Sequence, residues 1–107
     1  MADSTSHIVT VFRNRLRPGA ENAYSELAPR ISSLAHTMHG FIDEKTFTAP
    51  DGERVTIVTF RDRESHNTWR DHPDHREAQR RGVEELYATY SIQVGVVTHT
   101  HTFTESE

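Results

Sequence analysis

Between residues 67 and 79 the chain reads NTWRDHPDHREAQ. The stretch holds Trp69, the single tryptophan of the sequence, and two of the eight histidines, His72 and His75, on either side of Pro73. Tryptophan offers a broad apolar face and one N–H donor, so it can stack on a ring and donate a hydrogen bond to it. Histidine is the side chain that accepts a proton near neutral pH without special tuning. Pro73 suits the first turn of a helix, and the positive end of a helix dipole disfavours an imidazolium there. That leaves a neutral base. His75 is the preferred one, because His75, Ala78 and Gly82 share a helix face. The plainer alternatives are a solvated histidine capping the helix beside Asp74, and a tryptophan that packs a short helix onto a sheet.

The elements that position these residues follow from the spacing. Residues 7–16, HIVTVFRNRL, alternate as a strand with Ile8, Thr10, Phe12, Asn14 and Leu16 on one face. Asn14 is a polar amide on that mostly apolar face and needs a partner, which a ligand, a water or local backbone can supply. Pro18 suits the first turn of a helix. From Ala20 to Met38 the apolar residues recur at three- and four-residue spacing, which predicts a long amphipathic helix with Pro29 inside it and Gly40 as its stop. Residues 41–49 and 54–60 predict two strands joined by the turn PDGE. Asp62 can cap a short helix carrying Trp69. A further helix runs from Pro73 through Tyr87, and residues 90–103 predict a long last strand. The order β-α-β-β-α-α-β suggests an α+β, ferredoxin-like antiparallel sheet with helices on one face. The other face, with Val9 and Val11, then needs a cover, and a second copy is the simplest one.

Bulk properties narrow the function. A chain of 107 residues fits one domain, with a core at about 8–103. The net charge of −4 argues against nucleic acid as a partner. The absence of cysteine excludes thiolate metal sites, disulfides and cysteine nucleophiles. No apolar run reaches the roughly 20 residues that span a bilayer, and no signal pattern opens the chain, so a cytoplasmic protein without a membrane partner is expected. There is no glycine-rich phosphate cradle, no G-x-S-x-G and no H-E-x-x-H. His36 with His39, and His99 with His101 on one predicted strand face, each lack an identifiable third ligand, so no metal site is expected. "MADSTS" reads as a frayed end. Arg13 and Arg15, on the strand face opposite Asn14, are expected in surface or intersubunit ion pairs.

Several segments together carry a family resemblance: FRNRLRPGAENAY entering the first helix, MHGFIDEKTF after it, DGERVTIVTFRD, and WRDHPDHREAQRRG before a last strand that begins with tyrosine. The chain resembles the antibiotic biosynthesis monooxygenase superfamily of dimeric α+β barrels over roughly residues 8–103. The resemblance implies a homodimer that binds a flat, conjugated molecule between sheet and helices. It implies oxidation of an aromatic phenol or quinol, or of a polyketide-like molecule, by O2 without metal or flavin. It also implies two alternatives. One is a haem-binding or haem-degrading monooxygenase: Asn14 and Trp69 match that branch by position, while the ligand histidine's position falls near Ala78 or Gln79, close to His75 and His72 but not on them. The other is a non-catalytic binder of a hydrophobic metabolite.

Oxygenation without a cofactor requires the substrate to lose a proton, become electron-rich and pass an electron to O2 inside a dry pocket. With the resemblance, Asn14 and Trp69 are expected to orient the substrate and stabilise its anion, and His75 to accept its proton. Phe12, Tyr24 and His72 are expected to contact the ligand. These residues should converge on one cavity.

Overall fold

The computed structural model describes residues 6–105. The expected frayed end thus falls, for residues 1–5, outside the described residues. The elements are β1 (Ile8–Leu16), α1 (Glu21–Thr37), β2 (Phe41–Thr48), β3 (Arg54–Phe60), α2 (Arg63–Arg70), α3 (Pro73–Arg81) and β4 (Tyr87–Val96), with a π-helical turn, Gly82–Leu86, between α3 and β4. The four strands form one antiparallel sheet in the order β2-β3-β1-β4. This is the ferredoxin-like plan that the element order suggested. No helix among the described residues is long and apolar enough to cross a membrane.

The register fixes which residues share the helix-side face, because directly opposed residues in an antiparallel pair point the same way. Thr10 lies opposite Val58 and Val94, Phe12 opposite Thr56 and Ile92, and Asn14 opposite Arg54 and Tyr90. Two separate groups of buried residues stand on this face. One contains Ala20, Leu27, Ala78 and Leu86; the other contains Ala35, Val58, Phe60 and Trp69. The β4 side is left open. Its helix-side row, Tyr90, Ile92, Val94 and Val96, remains 42–49% exposed, far more than residues of these types show in a core.

Three expectations are corrected. Pro18 stands in a turn ahead of α1 rather than in the helix, which begins at Glu21 after Gly19. The last helix does not run to Tyr87. Its α-helical part ends at Arg81, and the π-helical turn follows. The guanidinium of Arg17 donates to the carbonyls of Val83, Glu84 and Tyr87 at 3.0, 2.9 and 3.1 Å, supplying partners to carbonyls at the end of the helical run. Finally, β4 covers Tyr87–Val96, not 90–103. Val96 pairs with Ile8, where β1 begins, Val97 N–H bonds the His7 carbonyl, and no further ladder bond forms among the described residues. His99 and His101 therefore lie on an exposed irregular segment rather than on a strand face.

Gly40 is required twice at the α1–β2 junction. Its φ of +85° is a left-handed conformation, and a Cβ there would collide with Ser65 on α2. Arg13 and Arg15 pair with Glu53 and Asp51, both at 2.8 Å, which ties β1 to the β2–β3 turn by surface ion pairs.

Candidate functional site

Members of both buried groups line a cavity of about 610 Å³ between the sheet and the helices, partly open to solvent. That size suits a drug-sized ligand, since ligand pockets run to roughly 300–1,000 Å³. Thr10, Phe12, Val58 and Ile92 contribute from the sheet, and Tyr24 and Ile31 from α1. The opposite wall comes from α2 and α3 and carries His66, Trp69 and His75.

Trp69 is held by stacking. Its indole lies on the Phe60 ring at 5.1 Å with 27° between planes. Asp62 caps α2 by accepting the Ser65 N–H at 2.8 Å, and this sets the helix phase that turns Trp69 inward. The indole is buried, and its N–H has no partner among the described residues. A buried donor without an acceptor costs about 1–3 kcal/mol. A ligand oxygen or a water would relieve that cost.

His75 packs beside the indole, with ring centres 4.4 Å apart. Its Nδ1 lies 3.1 Å from the carbonyl oxygen of Arg70, an acceptor only, so Nδ1 carries the proton. Nε2 then holds the free lone pair. Burial pushes the His75 pKa below its ordinary value of 6.5; the Arg70 carbonyl works against that, and the neighbourhood of His66, His72 and Arg76 adds to it. Desolvation is thus the largest reason the imidazole is neutral at pH 7. The corner between α2 and α3 is braced by Asp71, which accepts from Arg70 and Arg76, both at 2.9 Å. Those two arginines hold the Asp71 carboxyl down at about 2.

The far end of the cavity is aromatic. Phe12 meets Tyr87 edge-on at 5.4 Å and Tyr90 at 6.0 Å. Burial, with Tyr24 nearby, pushes the Tyr87 hydroxyl up to about 12, and burial also raises Tyr24, so both stay protonated at neutral pH. A Cβ at Gly82 would strike the Tyr87 ring, so glycine lets this aromatic sit against the π-helical turn.

The expected convergence is only partly formed. Trp69, His75, Phe12 and Tyr24 meet on one cavity. Asn14 does not line it: its side chain is 1% exposed, and neither amide atom has a partner among the described residues. Its cross-strand partner Tyr90 and its same-face neighbour Phe12 do line the cavity, so Asn14 lies next to the aromatic end but is covered there. His72 also stands apart. It is the N-cap of α3, its Nδ1 accepting the Asp74 N–H at 3.1 Å, and it borders a shallow outer depression rather than the cavity. That is the capping role weighed for it from the sequence.

One residue on the cavity wall escaped the sequence reading. His66 is 3% exposed, with Nε2 3.1 Å from the Thr10 hydroxyl and Nδ1 2.9 Å from Asn67 Oδ1. The available signal was its spacing: three residues before Trp69, it shares that helix face. His36 lies near Glu44 at 3.6 Å, and His39 bonds Arg61. Among the described residues no cluster of three metal-ligating side chains forms.

The antibiotic biosynthesis monooxygenase family model matches residues 7–81, and the chain belongs to that family. An uncharacterised protein of Bacillus subtilis, YqjZ, is 29% identical over 86 residues, covering 80% of this chain and 75% of that one. Among solved structures the fold is similar to SnoaB, a cofactor-independent oxygenase from Streptomyces nogalater, with a TM-score of 0.72 at 17% identity over 94% of this chain and 99% of that one. It is also similar to Rv0793 from Mycobacterium tuberculosis, with a TM-score of 0.75 at 19% identity over 95% and 100% of the two chains. Membership of this family supports a monooxygenase-like function, and the neighbours support the fold.

Proposed function

We propose that the protein oxygenates a flat aromatic phenol or quinol with O2, using no metal or organic cofactor. The observation that carries this reading is a pair of side chains lining one cavity: Trp69, whose buried indole N–H has no acceptor among the described residues, and beside it His75, a neutral imidazole whose Nε2 makes no hydrogen bond among them. Nε2 of His75 takes the phenol proton. The Trp69 N–H donates to the resulting oxyanion, and the aromatic walls hold the ring. The electron-rich phenolate passes an electron to O2, and recombination at carbon forms the C–O bond. Where a ring CH2 of the keto tautomer becomes C=O, the second oxygen atom leaves as water with the two hydrogens. The oxygenase activity of SnoaB, a fold relative, agrees with this direction.

The test is O2 consumption by chelator-treated protein on a panel of hydroxyanthrones and quinols, with ¹⁸O₂ to follow the label. Label in the product above the uncatalysed background supports the proposal; uptake no faster than without protein refutes it. The same free nitrogen serves the competing haem reading, so haemin is titrated in parallel. A Soret shift lost in His75→Ala favours haem.

The protein is also proposed to act as a homodimer. Phe47 and Ile57 on the outward sheet face are 50% and 37% exposed, and the β4 row is exposed on the helix-side face, so apolar surface is left on both faces of the sheet. Analytical ultracentrifugation at micromolar concentration should give twice the mass of one chain; a single-chain mass contradicts the assembly.

A further inference from the structure

Thr10, His66 and Asn67 make a second hydrogen-bonded unit on the cavity, separate from Trp69 and His75. Its polarity can be read from chemistry. Asn67 Oδ1 only accepts, so His66 Nδ1 is protonated and donates to it at 2.9 Å. Nε2 is then an acceptor, and the partner at 3.1 Å must be the Thr10 O–H as donor. With its proton committed, Thr10 Oγ1 offers the cavity only lone pairs. A ligand group that meets it favourably must carry a hydrogen. Thr10 and His66 are 6% and 3% exposed and both line the cavity, so the unit is shielded from bulk water yet borders the ligand space.

We infer that this unit is a second proton-accepting station, which selects ligands carrying a second hydroxyl group. The transfer is a relay. The ligand hydroxyl gives its proton to Thr10 Oγ1 as the Thr10 proton moves to His66 Nε2. The imidazolium so formed keeps its Nδ1–H on Asn67, and the ligand is left as an aryloxide. No electron is gained or lost in this step. His66 and His75 both lie against the same indole, at 5.9 and 4.4 Å between ring centres, so their rings are no more than about 10 Å apart. A fused-ring diol spans that separation. The inference rests on the cavity being the ligand site, as in the proposed function, but it does not need O2.

Trp69 is the only tryptophan, so its fluorescence reports the cavity directly. Under anaerobic conditions, naphthalenediols, the corresponding naphthols and the dimethyl ethers are titrated into the whole protein. The wild type should bind a diol about tenfold more tightly than the matching naphthol, the value of one good hydrogen bond. Thr10→Val should bring the ratio of diol to naphthol affinity down to about one, and Thr10→Ser should restore it. Asn67→Leu, at a half-buried site, should weaken the preference without loss of folding. A merely structural bond between β1 and α2 would weaken diol and naphthol alike in Thr10→Val. That result, absence of a diol preference in the wild type, or no binding at all overturns the inference. A diol preference that obeys these variants, in a protein that consumes no O2, upholds the station and refutes the oxygenase reading alone.

Discussion

The imidazole of His75 and the indole of Trp69 stand 4.4 Å apart, with 40° between their planes, at the corner where α2 gives way to α3. Two residues from different helices are thereby locked together on one cavity wall. The lock rests on stacking to Phe60 behind the indole and on the Arg70 carbonyl behind the imidazole. Trp69 thus combines a packing role with a donor role, and substitutions can separate them. Trp69→Phe keeps the ring and removes only the N–H. It should leave the melting temperature within a few degrees and cut turnover by about 10²-fold, as for loss of one oxyanion donor. Trp69→Ala also opens a cavity beside Phe60 and should cost about 3–5 kcal/mol in denaturant unfolding.

Acid should destabilise the protein through His75. Its folded pKa is depressed by burial, so the unfolded chain binds the proton more readily. The stability contributed by the neutral imidazole is complete above the ordinary value of 6.5. It begins to fall below that pH and is lost once the pH has passed through the lower folded pKa. Urea unfolding between pH 7.5 and 5 should show this decline, and His75→Leu should flatten it. An equal slope in the variant would assign the effect elsewhere.

Gly40 should resist substitution. Gly40→Ala forces a left-handed φ on a residue with a side chain and drives its methyl group into Ser65. A loss of more than about 1 kcal/mol is expected by chemical denaturation. Ser65→Gly in the same chain should recover part of it, since only the collision and not the strain is relieved.

Arg17 should act on the cavity from a distance. Its guanidinium fixes the carbonyls of Val83, Glu84 and Tyr87, and both Val83 and Tyr87 line the cavity. Arg17→Met should lower the melting temperature by several degrees and weaken naphthol binding. Arg17→Lys, a point charge without the planar fork, should not restore either.

The sequence was most informative where periodicity governs. Alternation in 7–16 and the three-and-four spacing after Ala20 located β1 and α1 within a residue or two, because burial of one face dictates both patterns. Pro73 and His72 likewise announced the start of α3 and its cap. What escaped depends on contacts between distant residues. β4 ends opposite Ile8, the first residue of β1, and the π-helical turn is held by Arg17, 66 residues before Val83. The site divided along the same line. Trp69 and His75 are near in sequence and meet in space. Asn14 shares the right face of β1 and adjoins the cavity-lining Phe12 and Tyr90, but the packing around it covers it, which its residue type and spacing do not reveal. His66 gained its meaning only when Thr10, 56 residues earlier, was found beside it.

The proton-accepting role of His75 is tested most directly by the pH profile of O2 uptake on a hydroxyanthrone or quinol, wild type against His75→Gln. The wild-type rate should rise with pH through the depressed pKa of His75, below 6.5, and level off by neutrality. The variant should lose about 10²-fold or more at the plateau, and with it that inflection. A variant that keeps the wild-type rate and the same profile would show that His75 is not the base, and the account of this cavity would fail.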